Sequence, residues 1–335
     1  MGISASLGSS ALLPAGLGFR NMIINGDFRI NQRGFSSSTS GYNFDRWYNE
    51  ASGGTQTITT QAFSTSDAPF PALGNGTNYI QSVVASQSGV NDYAAIGQKI
   101  EGVRLAAGQQ VSVSFWAKTT SGTPKVSVEF QQIFGTGGSS GVFTAAPTAF
   151  TLSTSWTRYQ TTVQIPSISG KTIGANDCLI LFLWLSSGST YSARSNSIGV
   201  QNSTIQFWGV QVEQNYQPTP FEQRPIGVEL ALCQRYFQQF TSTVGDNSFC
   251  TGVLYVTTLF LGALSWSPMR AAPIVSFSGS FNLVAAGLAN SCTPGSGNIT
   301  ATSCQISGTV TGYPAGNGGT MRMASGAFYS LNAEL

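Results

Sequence analysis

The side chains able to do chemistry are few. The 335 residues hold 13 Asp and Glu, 15 Lys and Arg, and no histidine. Without imidazole, Ser-His-Asp and Cys-His catalysis, His-ligated metals and imidazole proton shuttles all drop out together. No P-loop or dinucleotide fingerprint occurs, because the Gly-rich runs sit in Ser/Gly loops rather than between a strand and a helix. What remains is a two-carboxylate arrangement of the glycosidase kind. Asp45 with Glu50, or Glu213 with Glu222, are nearest in sequence. Spacing alone supports either pair, and the expectation is a protein that is not an enzyme. A structural calcium is a second reading. Asn25 and Asp27 on an opening strand and Glu213 on a closing one would share a hard cation if those strands run side by side. A hydrogen-bonded Asn-Gly-Asp turn without metal explains the same residues more simply, so no cofactor is expected.

One aromatic residue stands apart. Of the six tryptophans, Trp47, Trp156, Trp184 and Trp208 lie within or beside apolar runs and read as core or interface; Trp266, before Pro268, reads as packing in a later domain. Trp116 falls on the polar side of an alternating strand. In Val111–Lys118 the residues Val111, Val113, Phe115 and Ala117 face one way. In Lys125–Gln131 the core set is Val126, Val128 and Phe130. Joined through TTSGT as a hairpin, the two strands would set Ser114, Trp116, Lys118, Ser127, Glu129 and Gln131 side by side on one outward face. Such a face suits a sugar: the indole stacks on the C–H face of a pyranose, while hydroxyl, carboxylate and amide groups bond its OH groups. The competing reading, which ranks ahead, is that a loop or a second subunit covers Trp116.

The elements that must position these residues are strands. The chain is 41% hydrophobic but only 8% charged, with 39 Gly and its polarity carried by Ser, Thr, Asn and Gln. That composition favours an all-β protein. Candidate strands are Met22–Asn31, Tyr42–Asn49, Thr55–Ala62, Tyr79–Ala85, Ala95–Glu101, Gln110–Lys118, Lys125–Gln132, Trp156–Ile165, Cys178–Ser186 and Thr204–Gln214. Short strands between Gly/Ser loops such as DAPFPALGNG point to a sandwich or jelly roll. Leu179–Leu185 is apolar on both faces, so it must be covered twice.

Pro218, Pro220 and Pro225 then break the pattern. Ile226, Leu230, Cys233, Phe237 and Phe240 follow at 4-3-4-3 spacing, one helical stripe for an oligomer interface or for packing on the sandwich itself. The predicted organisation is an arm at 1–20, a jelly-roll-like β-sandwich at 21–223, a short linking helix at 224–242 and a smaller C-terminal antiparallel β domain at 243–335. That last domain draws on Phe249–Leu264, Ile274–Ser278, Ile299–Ser307 and Ala327–Asn332.

A net charge of +2 without a Lys/Arg cluster gives no footprint for nucleic acid. The apolar runs Leu179–Leu185 and Val253–Leu264 are too short or too broken for membrane insertion. The first 20 residues lack the basic and apolar regions of a secretory signal. Five cysteines, at 178, 233, 250, 292 and 304, show no CxxC spacing; free thiols are expected, with Cys292 and Cys304 close enough in a hairpin reading to pair.

Several ordered motifs run through the chain: NMIINGDFRINQRG, FDRW, EGVRLAAGQQVSVSFWAKT, FEQRPIGVELALCQRYF, MRAAP and the ending LNAEL. Together they resemble a family of bacteriophage virion proteins, described broadly as tail-fibre or carbohydrate-binding-module-like structural proteins. The resemblance runs from about Asn21 onward. It implies a jelly-roll-like fold and a virion location, as a tail fibre or appendage subunit engaging host-surface polysaccharide. The alternative is a purely structural head-decoration, head-fibre or tail-adaptor protein. Fibres of this kind imply a homotrimer. Residues 1–20 are expected to dock the chain to other virion proteins.

Overall fold

The computed structural model describes residues 19–35, 37–38, 41–64, 77–144, 147–245 and 247–335. The docking arm expected at 1–20 lies, but for Phe19 and Arg20, outside them, as does the loop DAPFPALGNG. The protein is all-β, with a jelly-roll-like sandwich as its larger part. In chain order the sandwich strands begin with β1 (Ser37–Ser38), β2 (Gly41–Tyr42), β3 (Trp47–Ser52), β4 (Thr55–Ala62), β5 (Asn78–Ala85) and β6 (Tyr93–Glu101). There follow β7 (Gln110–Thr119), β8 (Lys125–Ile133), β9 (Val142–Phe143), β10 (Thr148–Thr151), β11 (Thr157–Gln164), β12 (Cys178–Ser187) and β13 (Ser203–Glu213).

The first sheet runs β1-β4-β5-β13-β7-β11, and the second runs β10-β8-β12-β6-β3-β2 with β9 added beside β8. The chain passes repeatedly from one sheet to the other. Inward residues of both sheets meet in one core, where Val113, Phe115, Val128, Phe130, Leu181, Leu183 and Phe207 are wholly buried. Burying such side chains contributes about 1.5–3 kcal/mol each. The middle strand β12 is buried at every position. Leu179, Leu181, Leu183 and Leu185 enter this core, while Cys178, Ile180, Phe182 and Trp184 form a second cluster on the opposite face. The double cover read from the sequence is therefore present.

Residues 22–31 are not a strand. Met22 bonds to Val212 and Gly26 accepts from Val210, but the path then turns through Asn25 and Phe28, both at positive φ. The Asn25 side chain closes this turn by accepting from the Ile30 N–H at 2.9 Å and donating to its carbonyl at 2.9 Å. A Cβ at Gly26 would collide with the Val210 carbonyl, so the approach to β13 requires glycine.

Beyond the sandwich, a short helix α1 (Ser192–Ser195) lies between β12 and β13, and helix α2 spans Ile226–Gln234. The linking helix expected over 224–242 ends early, at Gln234, because Phe237–Thr241 is strand β14. The remaining strands are β15 (Asn247–Val256), β16 (Leu259–Ser265), β17 (Ile274–Ser278), β18 (Phe281–Ala285), β19 (Leu288–Gly297), β20 (Ser303–Thr309), β21 (Gly318–Met323) and β22 (Phe328–Asn332). β14-β22-β17 form a small sheet, and β15-β16-β20-β19-β18-β21 close into a barrel around Leu254, Phe260, Leu283, Ile306 and Met321. Trp266 packs against this second core. All five cysteines are buried and free. Cys292 and Cys304 lie towards opposite ends of the β19–β20 ladder, which pairs Thr293 with Thr309 and Gly297 with Gln305, so that pairing is not made.

The two β units are joined by buried charge drawn from the sequence motifs. Arg46 and Glu334, 1% and 4% exposed, form an ion pair, and Arg33 reaches the same carboxylate at 3.0 Å. Arg224 pairs with Glu229 at 3.3 Å, and Glu229 also accepts from the backbone of Asn25. Asp45 accepts from the backbone and side chain of Gln32, each at 2.7 Å.

Candidate functional site

The six residues expected on one sugar-binding face do not share a face. β7 pairs with β11 and β13, whereas β8 pairs with β10, β9 and β12. The strands thus belong to opposite sheets, and TTSGT crosses between layers instead of turning a hairpin. Inward and outward residues were assigned correctly along each strand. Ser114, Trp116 and Lys118 face out from the first sheet, and Ser127, Glu129 and Gln131 from the second.

Trp116 is half-buried, registered between Trp208 and Arg158. Gly209, at φ +65°, lies beneath it: a Cβ there would meet the Trp116 ring at 3.3 Å and the Phe221 ring at 3.7 Å. The loop carrying Phe221 therefore packs beside Trp116 within the same chain.

The outer face of the second sheet holds a cleft of about 470 Å³. Strand register builds its floor. Trp184 stands between Ala95 and Ser127, Phe182 between Gly97 and Glu129, and Ile180 between Lys99 and Gln131. Gly97 leaves room for the Tyr48 ring, which a Cβ would meet at 3.0 Å. At one end Tyr93 and Tyr191, both half-buried, stand with ring centres 4.9 Å apart, and each packs on Trp184, at 5.9 and 5.7 Å. Exposed Glu50 lines the same end.

Helix α1 delivers Arg194 to this wall. Its guanidinium takes Glu129 in a two-point contact, Nε to Oε1 at 2.9 Å and Nη2 to Oε2 at 2.8 Å, and lies 3.8 Å over the Phe143 ring. Glu129 also accepts from the Trp184 indole at 3.0 Å, so one carboxylate fixes both the indole and the guanidinium. Burial lifts the Glu129 carboxyl above the usual range, against the lowering pull of Arg194 and Trp184. The Tyr93 phenol is likewise raised by burial, then by the charge of Glu50.

Of the residues singled out from sequence, Gln131 lines this cleft, Glu129 braces it from beneath, and Ser127 is buried. Nothing in the spacing singles out Tyr93, Tyr191, Lys99 or Arg194, and it offers Glu50 only as a partner for Asp45. The available signal was the two-faced apolarity of β12, which required a second cover.

The other expectations resolve separately. Cys233 and Phe237 face the interior, with Arg33 lying 3.6 Å over the Phe237 ring; Phe240 stacks on Tyr329 at 4.7 Å. Ile226 is 53% exposed and Leu230 is half-buried. The stripe is thus split between a helix and a strand, and three of its five members, Cys233, Phe237 and Phe240, are used within the chain. Asp27 pairs with Arg29, and Glu213 accepts from the Thr219 backbone at 2.9 Å and its hydroxyl at 2.6 Å. Among the described residues no group of three or more acids or cysteines is arranged to hold a metal.

No family model and no curated protein matches the sequence. Among solved structures, the enzymatically active domain of bacteriophage CBA120 tailspike protein 4 aligns at TM-score 0.33 and 16% identity, covering 58% of this chain and 21% of that one. The family 11 carbohydrate-binding module from Clostridium thermocellum, in complex with a mixed-linked tetrasaccharide, aligns at 0.33 and 8% identity over 55% of this chain and 97% of its own. The CBM22-2 xylan-binding domain from Paenibacillus barcinonensis Xyn10C aligns at 0.33 and 15% identity, over 53% and 98%.

Proposed function

We propose that this chain is a carbohydrate-binding protein of a bacteriophage appendage, taking a glycan in the cleft on the second sheet. The observation that carries the reading is the cleft itself: an apolar floor of Ile180 and Phe182, two half-exposed tyrosines at one end, and Glu50, Lys99, Gln131 and Arg194 around it. Sugars present apolar C–H faces and a ring of hydroxyls, and this lining offers a partner to each. Binding fits better than hydrolysis. Glu129 is committed to Arg194 and Trp184, which leaves Glu50 as the one carboxylate among the described lining residues, where the common hydrolytic mechanism needs two.

The appendage part of the reading rests on the motif resemblance. Five of the six motifs send residues to the junction between the sandwich and the second β unit, through Asn25, Arg33, Arg46, Glu229, Arg270 and Glu334, which supports a common architecture rather than a common ligand. Mass spectrometry of purified particles tests it, and absence of the chain from them would remove the virion role. The binding part is tested by applying purified protein to an array of bacterial-surface and cell-wall oligosaccharides. Retention of a defined saccharide, weakened about tenfold or more in Tyr191→Ala with melting nearly unchanged, is the expected outcome. Retention that is indifferent to Tyr191→Ala would place the ligand elsewhere.

A further inference from the structure

Resting on the reading of the cleft as a glycan site, we infer that the second β unit supplies its end wall, through Leu335, and that the cleft therefore takes the end of a glycan chain rather than an internal stretch. The two ends of the cleft differ. From Trp184 to Cys178, β12 runs roughly 20 Å. The Trp184 end carries half-buried Tyr93 and Tyr191 and exposed Glu50. At the Cys178 end the lining comes from Asn176, Ile133 and Leu335.

Leu335 follows β22, outside the sandwich, yet it packs against the Cys178–Ile180 cluster. Lys99, which stands opposite Ile180 on the floor, donates to the Leu335 backbone oxygen at 2.6 Å, and the Tyr42 hydroxyl donates to it at 3.2 Å.

This wall is braced. Arg270, from the β16–β17 connection, donates to the carbonyl of Ala333 at 2.6 Å and to that of Glu334 at 3.3 Å. The same guanidinium donates to the Asn176 side chain at 3.0 Å, so one residue of the second unit holds both sides of the closed end. Glu334, between them, is tied by Arg33 and Arg46. A segment fixed at three consecutive residues, Ala333, Glu334 and Leu335, does not swing aside for a passing polymer, whereas the lining at the tyrosine end comes from the sandwich alone.

The test measures affinity against chain length, using gluco-, xylo-, galacto- and manno-oligosaccharide ladders from the disaccharide up, with the parent polysaccharides. The wild type is expected to reach its full affinity at a short length and to bind polysaccharide only in proportion to chain ends. Leu335→Gly, which removes the wall side chain and keeps the backbone bonds, should extend the gain to longer ladders by several fold. Arg270→Lys, which keeps the charge but loses the bridge to Asn176, should shift the profile the same way. A ladder that is bound but whose length profile is unaltered in both variants overturns the end wall alone. Failure of the wild type to bind any saccharide, on these ladders and on the array, overturns the glycan reading and the wall with it.

Discussion

Glu129 is wholly buried, and its charge is answered by one half-buried arginine and one indole N–H. Taking a carboxylate out of water costs several kcal/mol, and a single ion pair often fails to return it. Burial, the largest influence on this carboxyl, raises it, in line with that balance. The folded chain therefore holds the Glu129 proton more tightly than the unfolded chain does. The stabilisation from that proton is fully present below the ordinary carboxylate value and is lost as pH rises through the folded pKa. Glu129→Gln carries no such proton. The wild type should thus lose stability relative to this variant as pH climbs from about 4 towards neutrality, read from paired melting curves across that range. A gap that moves the other way would mean that the Arg194 pair outweighs burial. Either way the pair acts chiefly by position: it orients Trp184 and Arg194 against the cleft, so the variant should bind glycan more weakly even where it melts no lower.

At the scale of elements, the cleft depends on strands that lie close and flat under their aromatic residues. Gly97 on β6 is such a point: a Cβ would come within 2.9 Å of the Leu181 carbonyl on β12 and 3.0 Å of the Tyr48 ring on β3. Gly97→Ala is therefore expected to cost about 1–3 kcal/mol, by overpacking, measured by chemical denaturation with an unchanged m-value. No loss would show that the sheet can spread there. The strands themselves were largely legible. Thr55–Ala62 and Ile274–Ser278 are placed to the residue, and most of the others within two, because inward and outward residues alternate visibly. The pairing was not legible. Alternation says that Trp116 and Glu129 both point outward, but in a sandwich there are two outsides, and nothing local in TTSGT says that the chain changes layer. Residues 22–31 read as a strand because Met22, Ile23 and Ile24 are apolar; the turn is made by the Asn25 side chain and by Phe28 at positive φ, which tertiary packing enforces. The stripe from Ile226 to Phe240 kept its spacing by coincidence across a helix end, where pairing of Phe237–Thr241 with β22 takes over.

Across the whole molecule, most of the conspicuous motifs serve the junction between two β units, and the cleft is assembled from inconspicuous positions. Tyr93, Tyr191 and Leu335 lie far apart in sequence, and no spacing links them. They line one cleft because β12 is central in its sheet and needs a second cover, which α1 provides at one end and the segment after β22 at the other. The proposed glycan site therefore lies on the second sheet and not on the Trp116 face. The most direct measurement is a crystal structure of the protein soaked with the saccharide that it retains. The account predicts sugar density over Tyr93 and Tyr191, bounded by Leu335. Density on the first sheet, beside Trp116 and Lys118, with the cleft empty, would contradict it.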